Sequence, residues 1–258
     1  MDSVITDKYE LYHGDCLEVI SGLECNSVDA IIVDPPYFDI VKDSFDHQWS
    51  IEKDYIDWLC KTIIQAMKVL KNGGSFILFC SRQMVHKISV MCESLGLAEQ
   101  RMIIWCRKRC FNQTRGKALA SGYEPILYFT KGKNNITFNN IKIKSESKRK
   151  EYNTGTLKDG VSLSDCWTDI PALPHNSKEK VDHPTQKPIK LMERIISIVT
   201  NPDDVVLDYC CGSGSTCVAC LNLGRYFIGI ELDDKYFEVA KNRIETHIQQ
   251  NNLFQENK

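Results

Sequence analysis

The sequence predicts an α/β protein built on a doubly wound, mostly parallel sheet. Apolar runs of strand length alternate with segments of helical period along most of the 258 residues, a pattern typical of a sheet covered by helices. Acidic residues stand at the ends of several of these runs. One long polar segment, 131–182, shows neither period, and it predicts an irregular insertion with a recognition role.

Up to residue 130 the elements follow from apolar pattern. Five apolar runs of strand length predict strands at Tyr9–His13, Ala30–Val33, Ser75–Cys80, Arg101–Cys106 and Pro125–Thr130. Three segments predict helices at Cys16–Gly22, about 56–70 and Met84–Leu95. In the second helix Ile56, Leu59, Ile63, Met67 and Leu70 share one face, and Asn72, Gly73 and Gly74 are expected to end it.

The alternation resumes after residue 182. A helix is predicted from Pro188 to about Thr200, because proline opens helices readily. The elements expected after it are a strand Val205–Leu207, a helix Ser215–Asn222, a strand Phe227–Ile230 and a closing helix with Phe237, Ala240, Ile244 and Ile248 on one face. The predicted organisation is therefore one domain in two halves, 1–130 and 183–258, interrupted by the insertion 131–182.

Composition restricts the class without assigning an activity. Hydrophobic content of 43% and charged content of 26% are ordinary for a soluble globular protein. The sequence shows neither a targeting segment nor a membrane-spanning run, so a cytoplasmic location is expected. Twelve cysteines suit a reducing compartment. Cys217 and Cys220 have the spacing of half a zinc site, but no second pair accompanies them, so core packing is favoured and no metal is predicted.

Charge is distributed unevenly. Residues 101–150 hold thirteen basic and two acidic side chains, whereas the rest of the chain holds 19 basic and 32 acidic ones. A basic block in an acidic body is typical of a protein that binds a polyanion such as nucleic acid. The alternative is a solvated lysine-rich insertion without a ligand.

The tetrad DPPY, residues Asp34, Pro35, Pro36 and Tyr37, directly follows a predicted buried strand. The prolines have no N–H to donate, so the chain must leave the sheet there. A carboxylate and a rigid carbonyl can each accept a hydrogen bond from an exocyclic amine, while the tyrosine stacks on the ring. The tetrad therefore indicates a catalytic loop for an aminated base such as adenine. A plain strand-ending turn is the alternative.

Acids end four of the predicted strands: Asp15, Asp34, Asp208 and Glu231. In a doubly wound sheet such ends share the edge where ligands bind. The segment DYCCGSGST, residues 208–216, follows a strand and opens a helix, so its glycines can bring bare backbone against a ligand. A nicotinamide dinucleotide is the rival cofactor, but Cys217 stands where its fingerprint needs a third glycine.

DPPY, then HPTQKP at 183–188, then D-x-x-x-GSG at 208–214 closely resembles the DNA amino-methyltransferases that use S-adenosylmethionine. The order resembles the beta group, a circular permutation of the class I methyltransferase fold. An aspartate in the tetrad is similar to adenine-N6 enzymes, whereas cytosine-N4 enzymes more usually have serine. The resemblance thus implies a site-specific adenine-N6 methyltransferase acting on duplex DNA.

The resemblance also implies residue roles. It places catalysis at Asp34, Pro35, Pro36 and Tyr37, and cofactor binding at Asp15, Cys16, Asp34, Lys187, Asp208, Gly212, Ser213, Gly214, Ser215, Thr216 and Glu231. Within that set Asp15 would bind the cofactor's adenine, Glu231 its ribose, and Lys187 its methionine carboxylate. The family often has Pro and Phe after the motif's aspartate, where this chain has Tyr209 and Cys210. The source of the aromatic contact is left open.

The basic block is predicted to hold phosphates of double-stranded DNA. Its expected DNA-binding residues are Arg107, Lys108, Arg109, Arg115, Lys117, Lys142, Lys144, Lys148, Arg149 and Lys150.

Residues 38–50 are either a lid over the base or an ordinary loop. Alternatives left open are a cytosine-N4 or RNA methyltransferase, or a non-catalytic nucleic-acid binder. The resemblance implies a possible homodimer; no nuclease pattern is present, and a restriction partner encoded elsewhere is left open.

Overall fold

The computed structural model describes residues 2–38, 49–111, 119–143, 161–174 and 176–256. Its helices are α1 Cys16–Gly22, α2 Glu52–Val69, α3 Val85–Ser94, α4 Ile189–Val199, α5 Ser215–Leu223 and α6 Asp234–Glu256. Its strands are β1 Ser3–Ile5, β2 Tyr9–His13, β3 Val28–Val33, β4 Leu70–Phe79, β5 Ala98–Phe111, β6 Ser121–Thr130, β7 Lys142–Ile143, β8 Val161–Ser162, β9 Cys166–Trp167, β10 Val205–Asp208 and β11 Tyr226–Glu231.

Nine of these strands form one sheet in the order β1-β2-β11-β10-β3-β4-β6-β5-β9. The five strands from β2 to β4 in that order are parallel, and β6 joins β4 antiparallel. From β10 the chain proceeds towards β11, whereas from β3 it proceeds to β4 on the other side. The carboxyl ends of β3 and β10 therefore meet where the winding direction changes, which is where such sheets bind ligands.

Alternation along β3 separates the core into two layers. Ala30 and Ile32 lie in the layer that also holds buried residues of α4, α5 and α6. Ile31 and Val33 lie in the other layer, with buried residues of α1, α2 and α3. Successive side chains of a strand point to opposite faces, so one buried strand feeds both layers. The doubly wound sheet predicted from sequence is present.

The clearest boundary error concerns the end of α2. Leu70 was predicted on the helix face and Asn72 to Gly74 as its end, but all of these residues lie in β4. The β3–β4 register is irregular between the pairs Val28–Leu70 and Ala30–Ser75, and Gly73 has φ +82°. A glycine there accepts the left-handed backbone, so the chain passes from helix to strand with no separate loop.

The insertion is less irregular than predicted. It contributes β7 and β8, which pair with each other, and β9, which pairs with β5. Trp167 of β9 is 2% exposed and packs in the same core layer as Trp105. Strands of two residues leave no periodic pattern in a sequence, which is why these were missed. Within the described ranges, the helices are all too short or too polar to cross a membrane.

Cys217 and Cys220 lie in α5 and are fully buried in the core. Among the residues that the structure describes, no group of three or more metal-ligating side chains comes together. The position of the two thiols agrees with the core-packing interpretation of their spacing.

Candidate active site

The DPPY loop leaves the sheet at the end of β3, where the two prolines end the ladder. Asp34 remains part-buried there, with its side chain 22% exposed. Both of its oxygens are engaged: Oδ1 accepts a hydrogen bond from the Tyr37 hydroxyl at 2.8 Å, and Oδ2 accepts one from Lys187 Nζ at 2.6 Å. Burial, together with the negative charge of Asp34, raises the Tyr37 pKa well above its ordinary value, so the hydroxyl keeps its proton.

Lys187 is 7% exposed and lies beside the catalytic loop. Its ammonium is 2.6 Å from Asp34 and 3.4 Å from Oε2 of Glu124 in β6. It also lies 5.7 Å from the centre of the Tyr37 ring and 5.2 Å from that of Phe79. Burial lowers the pKa of this amine, but the two carboxylates outweigh burial and the net pKa is raised. Lys187 is therefore a buried, charged partner of Asp34.

The glycine-rich turn follows β10 and precedes α5. Gly212 has φ +52° and Gly214 has φ +74°, backbone conformations that side chains disfavour. A Cβ on Gly212 would lie 2.9 Å from His183 Nε2, so the histidine of HPTQKP packs on the turn. Gly214 is the residue before α5, and a Cβ there would lie 3.3 Å from Ala240 Cβ in α6. Gly212 thus packs against His183, whereas Gly214 packs against α6.

Three acids surround the turn and are bound by nearby groups. Asp15 Oδ1 accepts from the Leu17 amide at 2.7 Å and caps α1. Glu231 Oε2 accepts from the Gly212 amide at 2.7 Å. Asp208 Oδ2 accepts from the Thr216 hydroxyl at 2.5 Å. These bonds hold each carboxylate in a fixed direction.

Burial raises the pKa of two of these acids. It raises the pKa of Asp208 to about 7, with the nearby Asp34 and Glu231 charges adding to the effect and the Thr216 hydroxyl opposing it. It also raises the pKa of Glu231, against the hydrogen bonds that Glu231 accepts from backbone amides. Clustered acids in a cleft with raised pKa values are typical of a site that binds a ligand.

The loop and the turn face one cavity of about 640 Å³. That size suits a cofactor-sized ligand. The predicted residues that line it are Asp15, Cys16, Asp34, Pro35, Pro36, Tyr37, Lys187, Asp208, Gly212, Ser213, Ser215, Thr216 and Glu231. Of the predicted catalytic and cofactor residues, Gly214 alone is outside this lining. The roles of all of them stay predictions, but their convergence on one space is a property of the fold.

Sequence reasoning missed several residues around this cavity. Trp58 of α2 lines it together with Trp49, and their ring centres are 4.9 Å apart. Glu124 was noted only as one of two acids in the basic block. Tyr236 also lines the cavity, and its ring lies 4.5 Å from that of His183, tilted by 57°. The apolar period of α2 identified its buried face and gave no signal for Trp58, which lies beside that face.

The departure after Asp208 is resolved in part. Tyr209 is 1% exposed, with its side chain among the buried residues shared with α1 and α2. The Cys210 thiol interacts with the Cys16 thiol, and this contact with burial raises its pKa well above the ordinary value. The sulfur atoms of Cys16 and Cys210 stand at this wall of the cavity, whose lining also includes the aromatic residues Tyr37, Trp49, Trp58 and Tyr236.

Two of the ten predicted DNA-binding side chains are described. Arg107 donates to Glu124 Oε1 at 3.0 Å and to the Ser121 carbonyl at 3.3 Å. Lys142 is exposed and donates to Ser162 Oγ at 2.9 Å across the β7–β8 pair. The side chains of the others lie outside the described part of the chain: Lys108, Arg109, Arg115, Lys117, Lys144, Lys148, Arg149 and Lys150. Residues 39–48 of the suggested lid lie outside it too.

Comparison with known proteins agrees with this geometry. Residues 28–242 match the N6/N4 methyltransferase family model, described as DNA methylase. The DNA adenine methyltransferase YhdJ of Escherichia coli K12 is 35% identical over 251 residues, covering 91% of this chain and 82% of that protein. The crystal structure of an M1.HpyAVI–SAM complex superimposes with a TM-score of 0.67 at 32% identity, covering 92% of this chain and 98% of that one.

A third comparison concerns the fold alone. The PvuII DNA methyltransferase, described as cytosine-N4-specific, superimposes with a TM-score of 0.70 at 20% identity, covering 92% of this chain and 86% of that one. The same architecture therefore serves proteins described as acting on different bases. The methyltransferase fold and the family resemblance predicted from the three motifs are confirmed, and this chain belongs to the N6/N4 DNA methyltransferase family.

Proposed function

We propose that this protein transfers a methyl group from S-adenosylmethionine to the N6 amino group of adenine in double-stranded DNA. One observation carries the proposal: the Asp34–Tyr37 loop and the Gly212 turn line the same cavity. A base-binding loop and a cofactor-binding turn must face a common space for a methyl group to pass between them. The relatives described as DNA adenine methyltransferases support adenine as the target.

The residues of the cofactor side fit this donor. Gly212 lets the backbone approach a ligand, and Glu231 and Asp15 present carboxylates at the ends of neighbouring strands β11 and β2. Ser213, Ser215 and Thr216 add hydroxyls along the turn. A ribose and an amino-substituted ring need hydrogen-bond acceptors of this kind. S-adenosylmethionine supplies a methyl group already activated by its attachment to positively charged sulfur.

We further propose that Trp58, with Trp49 beside it, gives the aromatic contact that the sequence lacks at Cys210. Both rings line the cavity, and Trp49 also packs edge-on against Tyr55 at 5.1 Å. That packing fixes the direction of the Trp49 ring. A flat apolar face suits a purine ring that enters from the side of Asp15.

On the catalytic side Asp34 accepts a hydrogen bond from the target amine and directs the nitrogen lone pair towards the methyl group. The Pro35 carbonyl accepts the second amine hydrogen, and Tyr37 stacks on the base. The carbon–nitrogen bond forms as the carbon–sulfur bond breaks, the electron pair stays on sulfur, and the nitrogen then releases a proton to solvent. Asp34 acts through alignment and through its negative charge beside the developing cation.

The basic block supplies the DNA contacts in this proposal. Its lysines and arginines bind phosphates, and polar residues of 131–182 read base edges. Affinity for DNA is then expected to fall steeply as salt concentration rises, because each phosphate contact releases a counterion. The location in the cytoplasm and the possible homodimer stay predictions.

The test is transfer of a tritiated methyl group to unmethylated duplex DNA, followed by digestion and nucleoside analysis. Label in N6-methyl-2′-deoxyadenosine is expected. Label in N4-methyl-2′-deoxycytidine would replace adenine by the cytosine alternative, and label confined to an RNA sample assayed in parallel would replace DNA. A protein that binds DNA and donor without transfer would be a non-catalytic binder. Sequencing of the methylated DNA then gives the recognition site.

A further inference from the structure

Four charged side chains form a continuous line from the basic block to the catalytic loop. Arg107 Nη1 lies 3.0 Å from Glu124 Oε1, Glu124 Oε2 lies 3.4 Å from Lys187 Nζ, and Lys187 Nζ lies 2.6 Å from Asp34 Oδ2. The side chains of Arg107, Glu124 and Lys187 are 19%, 17% and 7% exposed. Ion pairs shielded to this degree are screened much less than surface pairs.

In this arrangement both carboxylate oxygens of Asp34 already accept a hydrogen bond. The Tyr37 hydroxyl donates to one of its oxygens and Lys187 to the other. A carboxylate oxygen can accept a second hydrogen bond, so a target amine that binds Asp34 at Oδ2 must either share that oxygen with Lys187 or replace it. Lys187 is the obstacle at Oδ2, because a positive charge 2.6 Å from the carboxylate also opposes the cation that develops on the nitrogen.

Glu124 provides a second position for that ammonium. Its Oε2 atom is buried and has no hydrogen-bond partner among the described residues, although Lys187 is already at an ion-pair distance. A buried acceptor without a partner carries a desolvation cost until a donor reaches it. Its Oε1 atom is held by Arg107, which also donates to the Ser121 carbonyl and hydroxyl, so the carboxylate is fixed in place.

We propose that Glu124 is a positioning residue that receives the Lys187 ammonium when the target amine takes Oδ2 of Asp34. The inference rests on the proposed function, since it assigns a role around the same catalytic acid. In the occupied site Lys187 stays charged and buried beside Glu124, and Asp34 keeps its full negative charge for the amine.

Charge balance supports this role. Asp34, Lys187, Glu124 and Arg107 together are neutral when all are ionised. Loss of the Glu124 charge would leave a net positive cluster beside a positively charged donor and a developing cation. Lys187 would then have Asp34 as its nearest acidic partner and would compete more strongly with the amine for Oδ2.

The experiment compares the parent with Glu124→Gln, Glu124→Asp and, as a matched control, Glu52→Gln, which removes an exposed carboxylate paired with Lys87. Single-turnover methylation is measured at saturating duplex DNA and donor, with the dissociation constant of each measured separately. Glu124→Gln is expected to slow transfer roughly tenfold to hundredfold, as misplacement of a reacting group does. Donor affinity should change little, and Glu124→Asp should recover part of the rate because it keeps the charge.

The pH dependence gives a readout that a merely structural role would not move. Glu124 helps to raise the Lys187 pKa, so its loss lowers that pKa. Deprotonation of Lys187 removes its charge from beside Asp34, so the rate deficit of Glu124→Gln relative to the parent should narrow as pH rises towards the lowered Lys187 pKa, with Glu124→Asp between them. Glu52→Gln should follow the parent throughout.

A parental rate in Glu124→Gln would overturn the inference, as would equal losses in the Gln and Asp variants. If Glu124→Gln does not fold, Arg107→Met decides in its place: it releases the anchor of Glu124, and an unchanged rate at saturating DNA would overturn the inference equally. The proposed function fails separately, because in that case the parent itself transfers no methyl group to adenine.

Discussion

The two sides of the cavity are built differently. On the cofactor side, Asp15, Asp208 and Glu231 accept hydrogen bonds from groups 2, 8 and 19 residues away in the chain. On the catalytic side, Asp34 is bound by Tyr37, 3 residues away, and by Lys187, 153 residues away. The acids of the cofactor side are held by groups nearby in the chain, whereas Asp34 also depends on a contact between distant parts of the fold.

Because of this difference, the cofactor side can bind a ligand with its hydrogen bonds in place, whereas the catalytic side must exchange a hydrogen-bond partner of Asp34. The donors that hold Asp208 and Glu231 are the amides of Cys210, Gly212 and Asp233 and the Thr216 hydroxyl, so we expect a ligand to bind beside these acids without breaking these bonds. The donors on Asp34 are the side chains of Tyr37 and Lys187, and we expect the target amine to replace Lys187 at Oδ2. We therefore expect substitutions on the cofactor side to change affinity, and those on the catalytic side to change rate.

Asp34→Ala is the strongest test of this difference between the two sides of the cavity. The rate of methyl transfer should fall roughly a hundredfold to a thousandfold, because the variant lacks both the acceptor and the charge beside the reacting nitrogen. The cofactor dissociation constant should stay close to that of the parent, since other residues hold the donor. Single-turnover methylation and calorimetric titration of the donor measure the two quantities.

Asp34→Asn is the control that keeps the shape of the Asp34 side chain. It keeps an acceptor and loses the charge, so its rate should lie between those of Asp34→Ala and the parent. Near-normal turnover in Asp34→Ala would refute the catalytic assignment. A large loss of donor affinity would instead show that the two sides are not separable.

Gly212→Ala tests the other side. The left-handed backbone at φ +52° costs a residue with a side chain about 1–2 kcal/mol, and the new Cβ would meet His183 Nε2 at 2.9 Å. We expect donor affinity to fall roughly tenfold, with the transfer rate at saturating donor much less affected. Calorimetric titration of the donor and single-turnover assays measure the two effects.

Gly22→Ala is the control for this substitution. Gly22 ends α1, its φ is not positive, and nothing lies within 4 Å of an added Cβ. Its donor affinity should match that of the parent. If Gly212→Ala left affinity intact and lowered the rate instead, the turn would belong to the catalytic machinery and the comparison would fail.

The same contrast explains what the sequence could predict. Apart from Gly214, the residues predicted for the cofactor side meet at one cavity. They could be grouped from sequence because they follow strands in a short, continuous pattern: an acid at the end of β10, glycines after it, and an acid at the end of β11. Their order alone brings them together once the sheet is parallel. The DPPY loop was placed for the same reason.

The partners of Asp34 were beyond reach of that reasoning. Lys187 was assigned to the donor's carboxylate, and nothing in HPTQKP shows that its ammonium lies against the loop after β3. Glu124 looked like an isolated acid in a basic segment, because the antiparallel pairing of β5 with β6 that joins it to Arg107 has no local signal. Contacts between residues far apart in the chain leave no periodic pattern in the sequence.

Trp58→Leu gives a smaller effect on the cofactor side. Loss of one aromatic face is worth about 0.5–1.5 kcal/mol, which corresponds to roughly a twofold to tenfold loss of donor affinity. Trp58→Phe should recover most of it, because it keeps a flat ring. Donor titration followed by calorimetry measures both; equal affinities in the Leu variant and the parent would remove Trp58 from the cofactor contacts.

Asp208→Asn gives the smallest expected effect, a change in the number of protons released when the donor binds. With a pKa of about 7, Asp208 is close to half protonated at neutral pH. The donor brings positive charge into the cavity, which lowers that pKa, so binding should release up to about half a proton at pH 7. Release should diminish above pH 8, where the carboxyl group is already ionised before the donor binds.

Calorimetry in two buffers of different ionisation enthalpy measures this release. Asp208→Asn should remove most of it at pH 7, whereas Glu231, whose pKa is raised as well, should continue to contribute at lower pH. Lys187 should contribute nothing, because its raised pKa keeps it charged before and after binding. Equal proton release in parent and variant would mean that the donor leaves the charge state of Asp208 unchanged. The cofactor side would then accept its ligand without a change in the charge of Asp208.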